Sequence, residues 1–288
     1  MLRTSLALYT WDVCSFSSNA FYEMSSSIFA YMSIRGLGLA LWSFGVLAAQ
    51  EGRWRVRFPV WTFHQDSVII YGLALGVIPN LDTLYTRTHG IRIEVLGVGL
   101  LMAVANLGIL MASSREEWES KRGQTHETIN GLHFSTTGSL CRCRMNGIAA
   151  GGFFQYHTEV NGFSGSLAGN LAQTVNGVMI SGNNAAFMFR GVQLAGWSNE
   201  AYLLYGVQTA VALNEVRIVA GLQIGGVNMA DTLAGAQIGL FNGQATGKGV
   251  QIGLVNFTKE MRGLQIGLLN LRGRRVRPLI QWSLGRRS

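Results

Sequence analysis

Over residues 147–271 the chain repeats a short phrase of alternating apolar and small or polar residues. In "GLQIGLLN" (263–270), Leu264, Ile266 and Leu268 fall on one parity, and Gly263, Gln265 and Gly267 on the other. A period of two is the mark of a β-strand, because successive side chains leave opposite faces. The same phrase recurs. Anchor glycines stand at Gly147, Gly162, Gly177, Gly191, Gly206, Gly221, Gly235, Gly249 and Gly263, always 14 or 15 residues apart. An apolar residue follows each anchor, and a small one stands four places on, such as Ser181, Ala195, Gly225 or Gly267. Asn closes the phrase seven after the anchor at Asn184, Asn228, Asn242, Asn256 and Asn270, a residue that tolerates turn conformations. Looser copies appear at Gly72, Gly90 and Gly131. The pattern predicts that the aliphatic parity packs inward and that the glycine parity forms a flat outer face.

A unit of this length with one such strand cannot bury its apolar face alone and must stack on its neighbours. The expected fold class is all-β: a repeat β-solenoid with coils of 14–15 residues. The alternative is an up-and-down β-barrel of outer-membrane type. Three features favour the solenoid. The inward apolar stretch is three residues long, short of the 9–11 residues of a membrane strand. Leu233 and Met261 look buried but lie on the parity opposite Leu222 and Leu264, as a corner would require. Several units also carry two turn signals, as in "VNGFSGSLAGN" (160–170).

Gln stands two after the anchor at Gln193, Gln208, Gln223, Gln237, Gln251 and Gln265. In a parallel solenoid these come into one row at roughly 4.8 Å spacing. The row is then either a contact face or an internal ladder of side-chain amides.

Composition supports a repeat β protein. There are 37 glycines, 3 prolines and 13% charged residues, against roughly 25% in ordinary domains. Net charge is +8, and no acidic residue follows Glu260. Arg272, Arg274, Arg275 and Arg277 are the candidate contact with an anionic surface, alongside a plainer role as a solvated end that discourages stacking of whole molecules. No aromatic-interleaved basic motif points to nucleic acid.

Residues 32–49 have the layout of a signal peptide: basic Arg35, an apolar run from Gly36 to Leu47, then Ala48 at the cleavage position. Residues 1–31 do not fit in front of it and are expected to be a non-native upstream extension, the rival being an apolar helix that opens a folded domain. Residues 50–128 read as a degenerate β leading section with a charged insertion at 113–128, residues 129–271 as the repeat domain, and 272–288 as an Arg-rich C-terminal cap. The apolar run 95–112 meets the length test for a membrane helix, but three internal glycines and the strand-like "HGIRIEV" before it weigh against that.

No catalytic, cofactor-binding or metal-binding set is expected. The five His show no metal-ligand spacing, and "GQATGKG" (243–249) lacks the helix a phosphate loop needs. Cys141 and Cys143 flank one Arg on a single strand face, too close in sequence for an easy disulfide, and are expected to be thiols.

The "GLQIGGVN", "GAQIGLFN", "GVQIGLVN" and "GLQIGLLN" units of 221–271 resemble a family of bacterial surface repeat-containing proteins, and the resemblance extends loosely over 67–284. It implies an exported protein of the cell surface or outer membrane, without a known activity. The partners it implies are envelope components, another protein surface or a membrane.

Overall fold

A computed structural model describes residues 54–80, 84–102, 114–122 and 125–283. The 1–31 extension, the 32–49 leader and residues 103–113 lie outside the described residues. The chain order is β1 (Arg55–Arg57), β2 (Val60–Thr62), β3 (Val68–Gly76), β4 (Thr86–Glu94), α1 (Gly99–Met102), α2 (Arg115–Arg122), β5 (Glu127–Ser135), β6 (Leu140–Gly151), β7 (Phe154–Ser166), β8 (Gly169–Ile252), β9 (Val255–Arg272) and β10 (Arg275–Ser283). The architecture is a β-solenoid of about 13 turns, with roughly 15 residues per coil. β8 spans 84 residues because pairing continues around the corners of successive coils.

Pairing from β3 through β9 is parallel and in register on the anchors: Gly72 with Gly90, Gly90 with Gly131, Gly131 with Gly147, Gly147 with Gly162, Gly162 with Gly177, and Gly249 with Gly263. Antiparallel neighbours, which the barrel alternative requires, are absent from this stretch of the described residues. β1 and β2 both pair parallel with β3 as the first coil. Pro59 stands in the anchor place there, its carbonyl accepting from the Leu73 amide at 2.8 Å.

The anchors are glycine for a steric reason. Gly249 has φ +145°, and a Cβ built on it would run into the carbonyl oxygen of Gly235, the anchor one coil earlier. The same relation links each anchor to the one before it from Gly90 to Gly263. A side chain at any of these places would push two coils apart.

Which face is inside differs from the sequence expectation. Gln265 is buried, whereas Ile266 and Leu268 are exposed. The aliphatic parity is therefore the outer face, and the Gln parity the inner one. Leu233 and Met261 share the inward parity with Gln237 and Gln265, so no corner is needed to explain them. They belong to a buried row two places before the anchors: Ile70, Ile129, Met145, Val160, Val175, Phe189, Leu204, Val219, Leu233 and Met261. This row supplies much of the apolar core, and the buried glutamines follow it four residues on along the same inward parity.

α1 and α2 fall within the one coil between Gly90 and Gly131, whose flanking strands β4 and β5 still pair directly. The charged segment is docked rather than free. Trp118 of α2 is buried and donates its indole N–H to the Thr174 hydroxyl at 3.0 Å. Its ring stacks on Phe187, which stacks in turn on Tyr202 one coil later.

Cys141 and Cys143 are buried and joined as a disulfide, contrary to the expectation of thiols. A register shift between Cys141 and Arg144 interrupts the regular strand, and the two Cα atoms stand 5.1 Å apart. That is within bonding reach.

β10 reverses the sense of the sheet. It turns at Gly273 and lies antiparallel on β9, with Gln281 opposite Gln265 and Ile280 opposite Ile266. The register slips between Arg277 and Leu279, around Pro278, which has no N–H to give to the ladder.

Candidate functional site

The six sequence-selected glutamines form one row inside the coil stack, each between 0% and 2% exposed. Gln208 donates Nε2–H to Gln193 Oε1 at 2.9 Å, Gln223 to Gln208 at 3.1 Å, and Gln237, Gln251 and Gln265 each to the preceding member at 2.8 Å. Of the two expected roles, the internal ladder is the observed one. The contact-face role is a correction: side chains sealed from solvent cannot meet a partner. Gln193 ends the series against the Met179 sulfur.

A second amide row stands at the corners. Asn184, Asn199, Asn214, Asn228, Asn242 and Asn256 each donate to the side-chain oxygen of the next Asn, ending at Asn270, over 2.8–2.9 Å. The other Nδ2 hydrogen of each goes to a backbone carbonyl of the following coil, such as Asn228 to Ile238 at 2.9 Å. Both donors of these six amides are thus satisfied, as buried polar groups require. Asn199 and Asn214 stand eight, not seven, after their anchors Gly191 and Gly206. They join the row because their 15-residue coils carry one extra residue before the corner. The donation sense of this row, early coil to late, is opposite to that of the glutamines.

The N-terminal coils put charge where the later coils put Gln. Arg92 and His133 lie two places after anchors Gly90 and Gly131, and both are buried. Arg92 pairs with Glu94 at 3.1 Å and also with Glu127, and its guanidinium caps the Phe63 ring at 3.7 Å. His133 Nε2 is 3.1 Å from Glu94, and its Nδ1 is 3.3 Å from His157 Nε2. Burial penalises the charged form of Glu94, but the charge and hydrogen bond of His133, with the charge of Arg92, outweigh it and hold the carboxyl at about 2. Burial, reinforced by His133, holds His157 at about 3. The sequence signal for this cluster was the same two-place offset that marks the glutamines. Among the described residues no three His, Cys, Asp or Glu side chains are placed to hold a metal ion, and no helix is long and apolar enough to cross a membrane.

At the other end, Arg274, Arg275 and Arg277 are exposed and Arg272 is half-buried. Lys248, Lys259, Arg262, Arg272, Arg274 and Arg275 line a groove of about 740 Å³, with Glu260 as its one carboxylate. Arg277 is not among the lining residues. The sequence points to Arg272, Arg274, Arg275 and Arg277. The fold adds Lys248, Lys259 and Arg262 from the two preceding coils.

The outer aliphatic face is the remaining surface. Ile180, Leu194, Ile224, Ile238, Ile252 and Ile266 stand three after their anchors, each about two-fifths exposed. Comparison with protein-family models, curated proteins and solved structures finds no match to this chain, so the functional reading rests on its own geometry.

Proposed function

We propose that this chain is an exported structural and interaction protein of the bacterial cell envelope, a rigid repeat scaffold without a catalytic role. The observation that carries the reading is the division of labour across each strand. Inside, amide rows and glycine contacts lock one coil to the next. Outside, the same strands present an aliphatic sheet, interrupted at Thr209 between Leu194 and Ile224, that a solvated protein has no reason to keep. The basic, apolar leader-like segment at 32–49 supports export. Partners on this reading are envelope components or another protein surface, and nucleic acid is not among them.

The test is the location and amino terminus of the protein in its native cell. The expected mature chain begins just after Ala48 or Ala49 and fractionates with the envelope. A mature chain that retains residues before Met32, or one held in the cytosol, overturns the reading.

A further inference from the structure

We propose that the C-terminal coils dock on an anionic phospholipid surface, the outer aliphatic rows entering the lipid interface and the flanking cations taking the phosphate headgroups. The proposal deepens the envelope reading by naming what this face meets.

The apolar part is continuous across the cap. Ile280 of β10 sits in register with Ile266 and extends the Ile238–Ile252–Ile266 row. Trp282 sits in register with Leu264 and extends the neighbouring row. These are strongly exposed positions: Leu268 is 63%, Ile280 55% and Trp282 76% exposed. A Trp at the rim of an aliphatic surface suits the headgroup boundary, where its ring is apolar and its N–H remains wet.

The cationic part lies beside it. Lys248 and Arg262 are each one residue before an anchor, two before the aliphatic row that ends at Trp282, and they are register partners. With Lys259, Arg272, Arg274 and Arg275 they surround the groove described above. Among the described residues ion pairs are made by Arg92, Arg115, His133 and Arg144, none of which lines the groove, and the groove sets six cations against the single carboxylate of Glu260. Cations bordering an apolar face are the arrangement by which peripheral surfaces hold anionic bilayers.

Charge and polarity together choose the occupant. A soluble polyanion would engage the groove and leave Ile280 and Trp282 in water. A second copy meeting this face symmetrically would set six cations against six. A bilayer with phosphate headgroups satisfies both halves at once.

The test is flotation of the full chain with vesicles of phosphatidylglycerol and phosphatidylcholine in equal parts, against phosphatidylcholine alone, with heparin as a soluble polyanion. The expected result is flotation with the phosphatidylglycerol vesicles only, weakened by salt. Replacing Lys259, Arg272, Arg274 and Arg275 by Gln should lower the bound fraction about tenfold or more, while Lys at the three Arg positions preserves it. Ile280→Ser with Trp282→Ser should lower it comparably. Circular dichroism of each variant separates lost docking from lost fold. Three outcomes overturn the proposal: equal flotation with phosphatidylcholine, binding that survives either set of substitutions in a folded chain, or heparin binding as tight as vesicle binding. Loss of docking in an exported chain would leave the envelope reading standing, whereas cytosolic retention would remove it.

Discussion

At the scale of single residues, two amide rows and one glycine row hold neighbouring coils together. Gln251 donates to Gln237 and accepts from Gln265, and both partners are buried. Leucine at Gln237 or Gln251 breaks two such bonds and strands buried polar atoms. We expect a loss of about 1–3 kcal/mol for each in denaturant unfolding. A double variant as stable as the parent would show that the row is filler. The glycines make a sharper pair. Gly249 has a positive φ and a neighbouring carbonyl where a Cβ would stand, so Gly249→Ala should cost about 1–3 kcal/mol or more. Gly196 has an ordinary φ, and the nearest atom to an added Cβ is 3.8 Å away. Gly196→Ala should therefore be neutral or stabilise by about 0.4–1 kcal/mol, by restricting the unfolded chain. Equal effects at the two sites would remove the steric account.

At the scale of elements, strands β4, β5 and β7 carry a pH-sensitive interior. Unfolded, His157 takes a proton near pH 6.5, while in the fold burial keeps it neutral down to about 3. The unfolded chain binds more protons in that window, so stability falls as pH drops through it. Glu94 acts in the same direction at lower pH: free, it protonates near 4.5, but folded it keeps its charge to about 2. We expect urea midpoints to decline from about pH 6.5 downward. His157→Gln should flatten the decline between about pH 6.5 and 3 and leave only the Glu94 contribution, which sets in below about 4.5. An unchanged slope in the variant would place the proton elsewhere.

The elements also show what was legible beforehand. The period was readable because glycine at the anchors answers a contact that no other residue can make. Gly72, Gly90 and Gly131, the looser copies of the phrase, fall in register with one another. The inside–outside assignment was not readable from hydrophobicity. In a coil this small a Gln side chain finds its partner on the identical residue next door, so the usual cost of burying an amide is met by repetition. Arg92 and His133 were within reach, since they occupy the Gln place of their coils. The Cys141–Cys143 bridge was not, because it depends on a local register shift.

At the scale of the whole molecule, stability is a sum over neighbouring coils, and the ends are where it fails. β10 closes one end with an antiparallel strand, Pro278 in its register slip, and exposed Arg275 and Arg277. Proline and charge at an edge discourage strand addition from another molecule. Deleting residues 274–288 uncovers the edge of β9. We expect concentration-dependent association in sedimentation velocity, weakened if charge is restored there. A truncated chain that stays monomeric would show that the hairpin is not a closure.

The opposed senses of the two amide rows bear on how long such a molecule can be. Aligned side-chain amides add their dipoles, as peptide groups do along a helix. A single row would build a field that grows with every turn. Here Gln265 points its donors toward the first coil and Asn256 toward the last, so each added turn contributes two opposing vectors. Length then carries little electrostatic penalty, and a lineage can lengthen or shorten the rod by duplicating or losing whole turns.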